Sequence, residues 1–188
     1  MKEKFYIFLD VDGTLFDINY QHSVYADYKK KYGMDFFTDL KTGQFELECI
    51  DPKCIKALNY LIDNLENHFD TQLVISSDVR KHMPPLIAKL KEKGLRYKKK
   101  IDNTPKIQNN KRGCEILSYL EGKPNPDNIV VIDDGKYDLY ECFAPEKIIH
   151  LEHGTKIDNK EYSLNKGHVD TFLKTINPRT TSKNDKTK

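Results

Sequence analysis

Three short stretches of the chain are almost continuously apolar, and each stops at polar residues capable of chemistry. Phe5-Tyr6-Ile7-Phe8-Leu9 ends at Asp10, Gln72-Leu73-Val74-Ile75 ends at Ser76-Ser77, and Asn128-Ile129-Val130-Val131-Ile132 ends at Asp133-Asp134. Runs of branched and aromatic residues without polar alternation predict strands covered on both faces. Between them the apolar period changes to that of a helix. Asp51-Pro52 has the form of an N-cap and first helical position, followed by Ile55, Leu58, Leu61, Ile62 and Leu65 on one face. A second helix is predicted over 80–93, with Met83, Leu86, Ile87 and Leu90 on one side and Gly94 at its end, and a third over 111–121, with Ile116, Leu117 and Leu120 before Gly122. A short strand is expected over 97–101, a late one over 148–151, and a closing helix carrying Val169, Phe172, Leu173 and Ile176. Alternating strands and helices predict an α/β fold with a doubly wound parallel sheet, whose strand ends gather at one edge.

The chain has 188 residues, the size of one ordinary domain. The expected organisation is a single domain over 1–176, with an insert at 16–50 after the first strand. After Ile176, residues 177–188 carry no large apolar side chain and are expected to form a disordered basic tail. With 31 basic against 29 acidic residues and a net charge of +2, bulk electrostatics do not mark a nucleic-acid binder. Cys49, Cys54, Cys114 and Cys142 form no CxxC pair and follow no apolar leader, so neither a disulfide framework nor a zinc site is expected, and a reduced, cytoplasmic setting is. No apolar run approaches the roughly 20 residues that cross a bilayer, so no membrane association is expected.

Asp10-Val11-Asp12-Gly13-Thr14-Leu15 puts two carboxylates on one side of an extended backbone at the tip of a buried strand. Acids that close call for a cation. This segment resembles the first motif of the haloacid-dehalogenase (HAD) superfamily of phosphatases, DxDGT followed by an apolar residue. The resemblance implies a HAD-like Rossmannoid sheet, Asp10 as the nucleophile taking a phosphoryl group, and Asp12 as the acid and then the base. It also implies Mg2+ held by Asp10, the backbone carbonyl of Asp12, and the pair Asp133-Asp134, with Asp134 the first choice as direct ligand. Ser76, or Ser77 one residue on, matches the phosphate-binding hydroxyl, and Thr14 would lie in the turn facing substrate. The residues leave the third-motif cation open between Lys111 and Arg112. Asp138 fits either a second spaced acid or a solvated helix position.

A narrower likeness favours Arg112. Val74-Ile75-Ser76-Ser77-Asp78-Val79-Arg80, then Asn103-Thr104-Pro105, then Arg112 with Glu115-Ile116, then Ile132-Asp133-Asp134 is similar to the HAD domains of multifunctional (Swiss Army Knife) RNA-repair proteins, with Val79 where that subgroup carries Trp. Arg80 would then hold substrate phosphate or stabilise its loop. Residues 77–111 leave no room for a second cap, while 16–50 suffice for a flap or minimal cap with Tyr25, Tyr28 and Tyr32 at helical spacing, then a hairpin-like stretch around Gly43. Those tyrosines, with Phe36 and Phe37 beside Lys29-Lys30-Lys31, fit either base stacking or ordinary packing. A thinly covered site implies a phosphorylated substrate as large as a nucleic-acid end, most simply a 3'-phosphate. The alternatives are a phosphatase for nucleotides or other small esters, and a catalytically silent binding module.

Overall fold

The computed structural model describes residues 1–33, 47–107, 111–151 and 163–176. At its centre lie five parallel strands: β1 (Lys4–Leu9), β2 (Asp70–Ile75), β3 (Asp102–Asn103), β4 (Ile129–Asp133) and β5 (Ile148–His150). Their order is β3-β2-β1-β4-β5, with β1 in the middle and every neighbouring pair parallel. The helices given in full by the described residues are α1 (Ile18–Tyr32), α2 (Pro52–Glu66), α3 (Met83–Glu92), α4 (Arg112–Leu120), α5 (Leu139–Cys142) and α6 (Lys166–Ile176).

The unbroken apolar run of β1 reflects its place, because successive side chains point to opposite faces and both faces are packed. Phe5, Ile7 and Leu9 join a cluster with Leu58 of α2, Leu86 and Leu90 of α3, and Val169 and Phe172 of α6. Tyr6 and Phe8 join the opposite cluster with Ile116 and Leu120 of α4 and Leu139 of α5. The predicted α/β sheet with parallel strands is therefore the observed architecture. Asp51 caps α2 as its sequence foretold, accepting from Lys53 N at 2.7 Å.

Two predicted elements differ. The helix expected over 80–93 begins at Met83, and Asp78–His82 forms a 3-10 turn ahead of it. Pro84 and Pro85 have no amide to donate, so they belong in the first turn and set the start there. The strand expected over 97–101 is replaced by the two-residue β3, paired Val74 to Asp102 and Ile75 to Asn103. A side chain takes over the missing pairing: the buried Tyr97 hydroxyl accepts from Leu73 N at 3.1 Å and donates to Thr71 O at 2.9 Å.

After β1, α1 runs 15 residues, longer than the short helix expected. Asp17 Oδ1 accepts from Asn19 N and Tyr20 N, both at 3.0 Å, and Gly33 ends the helix at φ 66°, where a side chain would be strained. Lys93 Nζ fastens it to α3 by donating to the Tyr20 hydroxyl at 3.0 Å. Tyr25 and Tyr28 are half-buried while Lys29 to Lys31 are exposed. The expected hairpin around Gly43, Phe36, Phe37 and the tail at 177–188 lie outside the described residues. None of the described helices is long and apolar enough to cross a membrane.

Tyr97→Phe removes the hydroxyl from between a buried amide and a buried carbonyl and is expected to destabilise the protein by about 1–3 kcal/mol. Urea denaturation, with an unchanged m-value, measures it.

Candidate active site

The sheet's hydrogen-bond ladder continues one residue beyond the strand ends, and those are the residues that carry the polar side chains. Asp10 N donates to Ile132 O at 2.9 Å, Ser76 N to Leu9 O at 2.9 Å, and Thr104 N to Ile75 O at 3.0 Å. Leu151 N closes the other side on Asp133 O at 3.0 Å. Gly13 turns the chain at φ 69°, and Leu15 N closes the turn on Val11 O at 2.9 Å. One carboxylate oxygen from each of Asp10, Asp133 and Asp134 lies within 4.8 Å of the others, at the C-terminal edge where open α/β sheets bind ligands.

Arg112 reaches this cluster from the first position of α4. Its Nη2 donates to Asp10 Oδ1 at 3.3 Å, and its Nε lies 3.4 Å from Asp133 Oδ2. Arg112 is 5% exposed, whereas Lys111, the N-cap, is exposed. Of the two cations left open by the sequence, Arg112 is the one at the carboxylates. Several buried polar atoms have no hydrogen-bond partner: Arg112 Nε and Nη1 and Asp133 Oδ2, which make only the longer ion-pair contacts, the hydroxyls of Ser76, Ser77 and Thr104 just past the strand ends, and that of Thr14 in the turn after β1. Such atoms are costly in a folded protein and cluster where a ligand completes them. Donors from Arg112 and the serines suit the oxygens of a phosphate, and acceptors from the aspartates suit a cation.

Charge makes the same point. Burial, reinforced by Asp133, holds the Asp10 carboxyl well above the usual carboxylate range, with Arg112 pulling the other way. Burial also pushes Asp133 up to about 6, against the lowering by Arg112 and the Gly135 amide. Gly135 N donates to Asp133 Oδ1 at 2.8 Å. Asp10 and Asp133 share the one Arg112 guanidinium, and the all-oxygen donor set of Asp10, Asp133 and Asp134 is what a hard divalent cation takes. Asp12 is exposed, in exchange with solvent.

Around these groups a further set of buried side chains is engaged. Arg80 is 8% exposed, and its donors are engaged: Nη1 donates to Ser76 O and Ser77 O, both at 3.0 Å, and Nη2 to Glu115 Oε1 at 2.7 Å. Of the two roles open to it, the geometry carries loop stabilisation. Glu115 also accepts from Ile107 N at 3.1 Å and stands 3.8 Å from Arg112 Nη1. One buried carboxylate therefore joins the serine loop, the segment after β3 and the arginine of α4. Asp138 is neither a spaced ligand nor solvated; it caps α4 from outside, accepting from Gly113 N at 2.7 Å and Cys114 N at 3.1 Å. Asp138, Cys114 and Cys142 also offer ligand atoms within 4.8 Å of one another, but burial first and Asp138 second push the Cys142 thiol up to about 11. Thr14 is fully buried, and its carbonyl accepts from Leu164 N at 3.0 Å. Only side-chain contacts between distant segments would have revealed these roles.

The family described as the HAD domain in Swiss Army Knife RNA repair proteins matches residues 6–161. No curated protein and no solved structure matches the chain.

Glu115→Ala leaves two buried guanidinium groups without their shared carboxylate, and a loss of about 3–5 kcal/mol is expected in chemical denaturation. A second outcome concerns pH. Asp10 and Asp133 bind protons more tightly folded than unfolded, so their effect on stability is most favourable below the unfolded value of 3.8 and fades as pH rises above it, for Asp133 through about 6. With chelator present, the Tm should fall between pH 4.5 and 7, and a divalent cation should restore it at pH 7.5 far more than at pH 4.5.

Proposed function

The chain belongs to the family of HAD domains in Swiss Army Knife RNA repair proteins, and from that premise we propose that it is a Mg2+-dependent phosphomonoesterase that removes a terminal 3'-phosphate from a polynucleotide through an aspartyl-phosphate. The observation that carries this reading is the convergence of Asp10, Asp133 and Asp134 within 4.8 Å, with Arg112 at 3.3 Å from Asp10. Asp10, the acidic partners and the oxygen-rich donor set fit Mg2+, which when bound neutralises phosphate oxygens and lets an anionic carboxylate approach them.

In this reading an Asp10 carboxylate oxygen attacks phosphorus and forms the acyl-phosphate bond as the phosphorus–ester oxygen bond breaks. The departing oxygen takes its proton from Asp12, whose exposure suits a group that must exchange protons with water. Asp12 then withdraws a proton from a water molecule that attacks phosphorus, and the bond to Asp10 breaks to release inorganic phosphate and the free carboxylate. Arg112 and the unpartnered hydroxyls of Ser76 and Ser77 supply donors to the equatorial oxygens, where charge accumulates. Arg80 and Glu115 act one step back, by fixing the serine carbonyls and the Arg112 side chain. The polynucleotide end as substrate is supported by the family's association with RNA repair.

Asp10→Asn is expected to lose turnover by roughly a thousandfold or more with little change in Tm. Arg112→Ala should lower kcat more than Lys111→Ala does. The deciding assay compares 3'-phosphorylated oligonucleotides with free nucleotides, using Asp10→Asn as the blank. Preference for free nucleotides would move the substrate to small esters, and full turnover by Asp10→Asn would remove the nucleophile assignment.

A further inference from the structure

Tyr137 lies beside the site and has no part in the chemistry above. Its backbone is left-handed, at φ 36°, a conformation uncommon for a bulky side chain. In such a position glycine would be free of strain, so the aromatic side chain carries a local backbone penalty. The ring lies against the backbone of Gly135: a Cβ added there would stand 2.0 Å from Tyr137 Cε2. Its centroid is 5.4 Å from the Arg112 guanidinium carbon. Despite this support the residue remains 52% exposed, among the most exposed large side chains in the described residues. With Asp78, Arg112 and Glu115 it lines a small cleft at the carboxylate edge of the sheet.

A ring braced by a glycine backbone and an arginine, and still about half exposed, is a platform. We propose that Tyr137 is a substrate-binding residue whose exposed ring stacks on the base of the terminal nucleoside, while the phosphate of that nucleoside meets Arg112. The inference rests on the phosphatase reading above and adds to it the group that is recognised next to the phosphate. Aromatic faces stack on any base, so the expected recognition is of a base as such and not of a sequence. A ring needed only to cover Arg112 would favour that residue's position equally for every substrate.

The experiment is a comparison of dissociation constants in the Asp10→Asn background, where binding is read without turnover. The probes are two 3'-phosphorylated oligonucleotides identical except that the terminal nucleoside carries a base in one and is abasic in the other. The base-bearing probe should bind about tenfold more tightly. Tyr137→Leu should bring that ratio close to one, and Tyr137→Phe should keep it. Equal binding of the two probes, a ratio that survives Tyr137→Leu, or a weakening of both probes by the same factor would overturn the proposal. Should Asp10-intact protein hydrolyse free nucleotides and spare oligonucleotides, the polymer reading fails separately. The base preference is then read in the same way from adenosine 5'-monophosphate against ribose 5-phosphate, with the same outcomes deciding.

Discussion

Negative charge brought together in a nearly dry place governs this fold's working edge. Parallel strands that are buried on both faces must end somewhere, and here β1 and β4 end side by side on aspartates, with Asp10 4% exposed and Asp133 fully buried. Neither carboxylate is comfortable ionised in that position, as the upward shifts of both show. Arg112 answers part of the charge and leaves part unanswered. That unanswered charge would let the edge take a cation and, in the proposed reading, an anionic ester through the cation and the guanidinium.

A second layer holds the first. Arg112 is held in place by Glu115 and by the capping of its helix by Asp138, and the serine loop by Arg80, which is tied to the same Glu115. Buried ion pairs of this kind are poor sources of net stability, since desolvation cancels much of the attraction, but they are exacting about geometry. Their use here is consistent with holding three loops in register around a small target.

The sheet could be read from the sequence because it depends on local pattern. Phe5 to Leu9 and Ile129 to Ile132 are apolar at every position, and only a strand covered on both sides needs that. Helix starts are legible where a cap and proline are read together, as at Asp51-Pro52; at 80–93 apolar spacing alone puts the start early, and Pro84-Pro85 mark the true first turn. The strand expected near Tyr97 failed because a side-chain hydroxyl can imitate a backbone partner, and periodicity does not register that. In the site, Asp10, Ser76 and Asp133 announce themselves as polar breaks after apolar runs. Glu115 and Asp138 look like any acidic residue on a helix or in a turn, and their meaning comes from partners 35 and 25 positions away. Family likeness helped with Arg112, where composition offered two adjacent cations and no reason to choose.

The ladder bonds that run one residue past the strands have a mechanical implication. The amides of Asp10, Ser76 and Thr104 are tied into the sheet as firmly as those of the core, so they can loosen only when the sheet itself opens. The floor of the cleft therefore behaves as a rigid anvil. If an ester is the substrate, as proposed, any movement that admits it would have to come from the flanking loops, with the floor keeping its spacing.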